Sequence, residues 1–209
     1  MENNMTSNSC GILTASEIER QVNLGNINIE NFSKKRLNPN SYNIRIGSII
    51  KTIVPNRFLS YEEIKDMCPF RDGNIEVSGM RVIDPKKPIE TLDYVFGSDG
   101  VLLIPGQHYL IPTFERISTD KFITKLTGRS TSGRMSISTF QSANFGDLGF
   151  SGVWTLQVSV MIPIIIYPNS ELVQAYFLVP FGDVDVLYHG KYQNSNDAVG
   201  PRYDRTIIK

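Results

Sequence analysis

The chain has 209 residues, of which 41% are hydrophobic and 20% charged, a composition typical of a folded globular protein of one domain. Its 21 Lys and Arg residues are balanced by 21 Asp and Glu residues, so the overall charge favours neither a nucleic acid nor an anionic membrane as partner. The two histidines and two cysteines fall in no metal-binding spacing, which argues against a zinc enzyme.

The chain starts with the polar stretch MENNMTSNSC, which contains no apolar leader segment. We therefore expect a flexible tail at residues 1–10 on a cytoplasmic protein. The first predicted element is a short helix, because Thr14 and Glu17 have the spacing of a capping box and Gly25 is a natural end for the helix.

Beyond this helix the sequence changes to β-strand patterns. SYNIRIG, residues 41–47, alternates with Tyr42, Ile44 and Ile46 on one face. Residues 100–117 predict a strand, a Pro-Gly turn and a second strand. Residues 55–75 are less regular and read as an insertion or edge with one short helix. We predict one domain at 11–209, mainly β, built as a barrel or sandwich with a short N-terminal helix.

The stretch LTGRSTSGRMSIST, residues 126–139, concentrates short polar side chains as no other part of the chain does. Gly128 and Gly133 allow tight turns and a close approach of backbone amides to a ligand. The hydroxyl groups of residues 130–132 add donors, and Arg129 and Arg134 add planar guanidinium groups suited to phosphate oxygens. A polar surface loop with incidental arginines is the alternative interpretation.

Two further features follow in residues 145–181, a β region with breaks at Pro163 and at YPNS. Asp147, in FGDLGFSG, is either a turn aspartate or a carboxylate that orients water or the sugar of a ligand. In the strand VWTLQVSV, apolar residues from Trp154 onward alternate with Thr155, Gln157 and Ser159. Gln157 is thus either a solvated strand residue or, with Thr155, part of a pocket wall that reads a base edge by hydrogen bonds. The apolar run VMIPIIIY is too short to span a bilayer, so we expect no membrane partner.

Seven segments, in order along residues 11–193, together resemble the dCTP deaminase family of the trimeric dUTPase-like superfamily: GILTASEIERQVNLGNINIENF, LNPNSYNIRIG, LIPGQHYLIPTFERI, LTGRSTSGRMSI, DLGFSGVWTLQVSV, YPNSELVQAYF and YHGKYQN. Residues 55–75 match poorly. The resemblance implies a distorted β-barrel of the dUTPase-like (β-clip) type, assembled as a homotrimer with active sites between subunits. It also implies a pyrimidine deoxynucleoside triphosphate as ligand, with Mg²⁺ carried on the phosphates and no dedicated metal ligands.

The resemblance also assigns roles to individual residues. Catalytic roles fall on Gln157, Ser130, Arg134 and Asp147, with Ser130 and Arg134 assisting at the base and Asp147 holding the deoxyribose or orienting the attacking water. The run 129–134 would cradle the triphosphate, and the segment around Tyr188 would fold over the nucleotide. The full set of implied substrate-binding residues is Arg129, Ser130, Thr131, Ser132, Gly133, Arg134, Asp147, Thr155, Leu156, Gln157, Tyr188, Lys191 and Ser195.

Gln157 is the main departure from the family, which has a glutamate there as the general base for attack of water at C4. An amide cannot take up that proton, so we expect impaired deamination. Milder departures are Ser195, where a glutamine contacting phosphate is usual, and Gly146, where a branched apolar residue is common. Three functions stay open: deamination of dCTP to dUTP and ammonia, diphosphohydrolysis of dUTP or dCTP by water that Asp147 orients, and binding of a nucleotide by an inert trimer.

Overall fold

The structure is a computed structural model that describes residues 11–68 and 79–202. The predicted tail at 1–10 therefore lies outside the described residues. The described helices are α1 (Ala15–Asn23), α2 (Tyr61–Met67) and α3 (Ser130–Arg134), with a 3-10 turn at Lys34–Arg36. The described strands are β1 (Asn28–Ile29), β2 (Leu37–Asn38), β3 (Ser41–Arg45), β4 (Ile49–Ile53), β5 (Arg57–Ser60), β6 (Gly79–Val82), β7 (Thr91–Val95), β8 (Val101–Leu103), β9 (Tyr109–Ser118), β10 (Ile123–Gly128), β11 (Ile137–Ser138), β12 (Phe145–Gly146), β13 (Ser151–Val160), β14 (Ile164–Ile166) and β15 (Glu171–Leu178).

Helix α1 begins where predicted, but the predicted capping box is wrong. Thr14 is the N-cap residue in an extended conformation, and its side chain makes no hydrogen bond to the helix end. Glu17 instead accepts hydrogen bonds from Arg20 at 2.7 and 2.8 Å and from Gln21 at 2.6 Å, so its carboxylate is engaged farther along the helix. The predicted end is correct: the helix stops at Asn23, and Gly25 follows with a φ of +73°.

Two antiparallel sheets carry the fold. One has the strand order β11-β13-β9-β4-β7, with β1 also paired to β9, and the other has the order β12-β10-β15-β3-β2. An isolated bridge between Ile46 and Thr113 joins the two sheets at the end of β3. The prediction of a mainly β fold with a short N-terminal helix is confirmed. The pairing of the described strands gives two joined sheets and does not close into a barrel.

The hydrophobic core lies between these sheets. The face of SYNIRIG predicted to be apolar is fully buried, since Tyr42, Ile44 and Ile46 are each 0% exposed. Phe177 on β15 and Leu156 on β13 belong to the same buried cluster, so both sheets contribute to one core. Burial of such side chains is the main source of the stability of the fold.

A charged network is buried beside this core. The Glu115 carboxylate is 0% exposed and accepts a hydrogen bond from Arg45 Nε at 2.7 Å, with Arg36 Nη1 3.6 Å away. Arg36 Nε in turn lies 3.4 Å from Glu171, which also pairs with Arg129 at 3.1 Å. Because a buried carboxylate is tolerated only with partners, the Glu115 site depends on both guanidinium groups.

The predicted strand–turn–strand at 100–117 forms, but its two strands do not pair with each other. Gly106 provides the turn at a φ of +80°. Strand β8 pairs with β14, whereas β9 lies between β13 and β4. The described part of 55–75 contains β5 and α2. Strand β5 pairs with β6, which follows at residues 79–82, and the two form a separate two-stranded sheet beside α2, in agreement with the predicted insertion.

The pairing of β9 with β13 positions the site. Both strands are ten residues long, and their register is irregular between Val153 and Thr155. The Thr113 hydroxyl spans this irregularity: it accepts a hydrogen bond from the Trp154 amide at 2.9 Å and donates to the Glu115 carbonyl at 2.8 Å. Beyond it the register is regular, and Gln157 lies opposite Leu110.

Candidate active site

A pocket of about 560 Å³ opens on the face of β13 that carries Thr155 and Gln157. Its lining residues come mainly from β13, from β9 and the residue before it, from residues 143–150 around β12, and from residues 188–201. We call residues 188–202 the C-terminal strap. The pocket brings together five of the residues predicted to bind substrate: Asp147, Thr155, Gln157, Tyr188 and Ser195.

The alternation predicted for β13 is confirmed. Its apolar positions from Trp154 to Val160 are at most 7% exposed, while Thr155 and Gln157 are half-buried on the pocket side. Leu156 has its side chain in the core, so only its backbone could contact a ligand. The Gln157 carboxamide makes no side-chain hydrogen bond to another described residue, which leaves its donor and its acceptor available to a ligand.

The strap is bonded to the first half of β13. The Asn194 amide donates to the Ser151 carbonyl at 2.8 Å, and the Val153 amide donates to the Ser195 carbonyl at 2.9 Å. The Ser195 hydroxyl donates to the Val153 carbonyl at 2.8 Å, so this residue binds the strand rather than projecting freely into the pocket. Farther on, the Val199 amide donates to the Thr155 hydroxyl at 2.9 Å.

A buried lysine also binds the strap. Lys51 on β4 lies opposite Leu110, and its Nζ is 2.5 Å from Asp93 Oδ2 on β7 and 3.0 Å from Asp197 Oδ2 in the strap. Burial alone would lower the pKa of Lys51, but the two carboxylates outweigh this and raise it. The ammonium group therefore stays charged and ties the strap to the sheet.

Aromatic rings form the pocket wall near Asp147. Phe150 meets Trp154 and Tyr188 edge to face, with ring centroids 5.4 and 5.7 Å apart. The indole lies against Gly146, where an added Cβ would be 2.5 Å from Trp154 Cη2. This contact accounts for the glycine at a position where the family commonly has a branched residue, because any side chain would collide with the ring. Within the described part of the chain, the Trp154 Nε1 is buried without a hydrogen-bond partner.

The run 129–134 does not line this pocket. Arg129 is the N-cap residue of the short helix α3, and residues 130–134 form that helix, so the run is not an irregular loop. The Ser132 hydroxyl is buried and donates to the Leu172 carbonyl at 2.8 Å, and Arg129 Nη1 donates to Glu171 at 3.0 and 3.1 Å. The side chains of Ser130 and Arg134 are exposed, together with Thr131 and Gly133. Four of the predicted cradle residues thus face outward from their own subunit.

Lys191 also lies outside the pocket lining. Its Nζ donates to the Arg202 carbonyl at 2.9 Å and lies 5.4 Å from the centroid of the Tyr192 ring. Its contact with the nucleotide stays a prediction.

The sequence did not predict the roles of His108, which lines the pocket, and of Lys51, which holds the strap. His108 is half-buried and lines the pocket near the start of β9, and burial lowers its pKa. The available signal was chain position: His108 lies just before β9, two residues ahead of Leu110, and the period of two in a strand suggests the same face. Lys51 gave no signal, since its two carboxylate partners come from distant parts of the chain.

The described residues contain neither a cluster of metal ligands nor a helix that could span a membrane. No three His, Cys, Asp or Glu side chains lie together as a candidate metal site in residues 11–68 and 79–202. In the same part of the chain, every helix is too short or too polar to cross a membrane.

The chain is similar in sequence to known proteins. A family model described as dCTP deaminase-like matches residues 12–178. Proteins named "dCTP deaminase, dUMP-forming" match over 190 residues: that of Clostridium beijerinckii is 38% identical (91% of this chain, 94% of the relative) and that of Leptospira biflexa is 32% identical (91% and 94%). The one from Hathewaya histolytica is 38% identical over 190 residues, covering 91% of this chain and 95% of that protein.

A solved structure supports the fold. The crystal structure of 2′-deoxycytidine 5′-triphosphate deaminase from Agrobacterium tumefaciens matches with a TM-score of 0.54 and 20% sequence identity. The match covers 82% of this chain and 49% of that chain, so the present chain spans about half of the solved one. At this identity the likeness concerns the arrangement of strands alone.

Proposed function

The chain belongs to the dCTP deaminase-like family, and from this premise we propose that it is an enzyme that hydrolyses dCTP to dUMP, ammonia and pyrophosphate. The sequence predicted dUTP as the product. The relatives at 32–38% identity are named as dUMP-forming, and this supports a second hydrolysis at the phosphates, with dUTP as an intermediate. The observation that carries the proposal is the convergence of Asp147, Thr155 and Gln157 in one pocket beneath the strap.

The base end of the substrate is assigned to Gln157 and the backbone of β13. The carboxamide is half-buried, has no side-chain partner among residues 11–68 and 79–202, and lies two residues from Thr155 on the pocket face. An amide offers one acceptor and two donors, which suits the hydrogen-bonding edge of a pyrimidine. In this proposal the strap, which is bonded to β13, limits the access of water to this edge, and the hydrogen bonds form in a medium of lower dielectric constant.

The phosphate end requires a second copy of the chain in this proposal. The exposed side chains of Ser130, Thr131 and Arg134 are suited to a triphosphate, yet they lie outside the pocket of their own subunit. A homotrimer in which each pocket meets the 129–134 run of a neighbour would supply the missing donors. Light scattering should then give three times the 23.5 kDa of one chain.

Mixing two inactive variants tests the shared site directly. Arg134→Ala removes the guanidinium group of the run 129–134, and Asp147→Ala removes the pocket carboxylate. Each variant alone should be inactive, and a mixture allowed to exchange subunits should regain partial activity, because some sites then combine an intact run with an intact pocket. A mixture as inactive as its components would refute a site shared between subunits.

Magnesium enters the proposal as an ion bound to the triphosphate. The described residues contain no cluster of three His, Cys, Asp or Glu side chains that could hold a metal ion by itself. Among the described residues that line the pocket, Asp147 supplies one carboxylate. This set fits Mg²⁺, which proteins often hold through one or two carboxylates plus substrate phosphates. When bound, the ion would neutralise charge on the phosphate oxygens. Removing it with EDTA should stop release of pyrophosphate, and excess Mg²⁺ should restore it.

Product analysis tests the reaction. The protein is incubated with dCTP and, separately, with dUTP, and the nucleotides are resolved by chromatography while ammonia and pyrophosphate are measured. The proposal predicts dUMP from both substrates and ammonia from dCTP alone. Release of ammonia with accumulation of dUTP would restrict the activity to deamination. Tight binding without any product would refute the enzyme and favour a nucleotide-binding trimer.

A second candidate function is favoured by Gln157. Because an amide cannot exchange a proton with the base, the chain could act as a diphosphohydrolase of dUTP in which Asp147 orients the attacking water. This candidate predicts dUMP and pyrophosphate from dUTP with no ammonia from dCTP. Gln157→Glu would then create deamination that the natural chain lacks.

A further inference from the structure

His108 lies beside Gln157 on the same face of the sheet. Leu110 is directly opposite Gln157, and Tyr109 is opposite Val158. His108 lies just before β9, two residues ahead of Leu110, and a continuation of the strand pairing would make it the diagonal cross-strand neighbour of Gln157. Such neighbours lie about 7–8 Å apart at their Cα atoms, and both side chains line the same pocket.

The imidazole of His108 is available for proton transfer. It is half-buried and makes no side-chain hydrogen bond or ion pair with another described residue. Burial lowers the pKa of His108, so the ring is neutral at physiological pH and keeps one nitrogen as an acceptor. These are the properties that a general base requires, and the Gln157 amide lacks them.

The other polar groups around the pocket are less suited to this task. Lys51 faces the same side from β4, but it is protonated and held by Asp93 and Asp197. Asp147 comes from the turn after β12, a strand of the other sheet.

Building on the proposed deamination of dCTP, we propose that His108 is its general base and replaces the carboxylate that the family has at position 157. As a water oxygen bonds to C4 of cytosine, the imidazole takes one proton from that water and passes it to N3. It then takes the proton of the new hydroxyl group and passes it to the amino group. The C4–N4 bond breaks, ammonia leaves, uracil remains and the imidazole is neutral again. Gln157 holds the ring edge by hydrogen bonds.

The test replaces the imidazole with a group that cannot titrate. His108→Asn keeps a polar side chain of similar reach and should lower kcat for ammonia release about 10²–10⁴-fold. Binding of dCTP, measured by calorimetry with the same variant, should change by less than about threefold, because a base acts on the transition state more than on binding. The acid limb of the kcat–pH profile, which reports the imidazole, should disappear.

Three further variants make the result specific. His108→Ala should recover ammonia release when free imidazole is added, which a merely structural role would not allow. His108→Asn/Gln157→Glu should recover ammonia release through the restored carboxylate. Gln107→Asn is the matched control, since Gln107 is also half-buried but does not line the pocket, and it should keep the natural rate.

The outcomes separate the two proposals. If the natural chain releases ammonia from dCTP and His108→Asn does so within threefold with an unchanged pH profile, the assignment of His108 is refuted and the proposed function stands. If the natural chain converts dUTP but never releases ammonia, the proposed deamination fails and the role of His108 fails with it.

Discussion

Replacing Gly146 by alanine tests the packing that shapes the pocket wall. The Cβ of alanine at this position would lie 2.5 Å from Trp154 Cη2, 2.6 Å from Cζ2 and 3.2 Å from the Thr124 carbonyl. Distances below about 3.4 Å are shorter than van der Waals contact, so the indole has to move. It cannot do so freely, because Trp154 is only 7% exposed and packs against Phe150.

The expected cost is that of overpacking a closely packed site, about 1–3 kcal/mol. For a chain of this length, 1 kcal/mol corresponds to roughly 2–4 °C in Tm, so Gly146→Ala should melt about 2–12 °C lower than the natural protein. Thermal unfolding followed by circular dichroism measures this. The variant should also bind dCTP more weakly, because the displaced ring enters the pocket beside Asp147.

A double variant and a control separate the contact from a general effect of glycine. Gly146→Ala/Trp154→Leu removes the collision and should be more stable than the sum of the single changes predicts, with a coupling energy of about 0.5–3 kcal/mol. Gly97→Ala is the control, because no atom lies within 4 Å of the added Cβ. If Gly146→Ala melts with the natural protein, or if Gly97→Ala loses as much stability, the steric explanation is wrong.

The ion pairs give three more expectations. Glu115→Gln leaves the partly buried guanidinium groups of Arg36 and Arg45 without their buried carboxylate and should cost about 3–5 kcal/mol in urea unfolding. Glu17 is partly exposed and pairs with exposed Arg20, so Glu17→Gln should cost less than about 1 kcal/mol. Asp197→Asn should raise amide hydrogen exchange in the strap with little change in Tm, since this carboxylate is partly exposed. The hydrogen bond from Lys51 lowers the pKa of Asp93, so the stability it contributes is present above the ordinary value of 3.8 and is lost as pH falls through the lowered value. Asp93→Asn should therefore weaken the fall of Tm below pH 4.

Each of these has a contradicting result. Equal costs for the two glutamates would show that burial of Glu115 does not decide its contribution. Unchanged exchange in Asp197→Asn would remove the role of Lys51 in holding the strap. The same acid dependence with and without the Asp93 carboxylate would assign the loss of stability to other groups.

The strands could be predicted from the sequence because the alternation of apolar and polar residues is visible within a few neighbouring positions. In β13 the period of two assigns Trp154 to the core and Gln157 to the pocket, and the structure has both there. The capping box at Thr14 is not formed: Glu17 has the right spacing, but its carboxylate accepts hydrogen bonds from Arg20 and Gln21 instead. Side-chain competition of this kind is invisible in spacing alone.

Long-range pairing was beyond the sequence. The Pro-Gly turn at Gly106 suggests adjacent strands, yet β8 pairs with β14, some sixty residues later in the chain. The anchoring of the strap by Lys51 depends on residues from β4, β7 and the C-terminal region, which no local pattern connects. The candidate site was therefore predicted in its β13 portion and missed in its contributions from β4 and the start of β9.

The unpartnered amide of Gln157 also bears on which base the pocket prefers. Cytosine offers an amino donor at C4, and uracil offers a carbonyl acceptor there. A carboxylate only accepts, so it favours cytosine, whereas an amide can turn either its oxygen or its nitrogen toward the ring. An enzyme that converts dCTP through dUTP to dUMP has to hold both bases, and Gln157 can satisfy both without leaving a buried group unpaired.

We therefore expect the Kd values of dCTP and dUTP to differ by less than about tenfold in the natural chain, because neither ring leaves the amide unsatisfied. Gln157→Glu should shift the preference toward dCTP by more than about tenfold, since the carboxylate then faces the O4 acceptor of uracil. Calorimetry at a pH well above 4.3, the ordinary pKa of a glutamate, keeps the carboxylate ionised and makes the comparison direct. If the ratio of the two Kd values is the same in both proteins, Gln157 does not contact the base at C4. The pocket on β13 would then read the pyrimidine through its backbone alone.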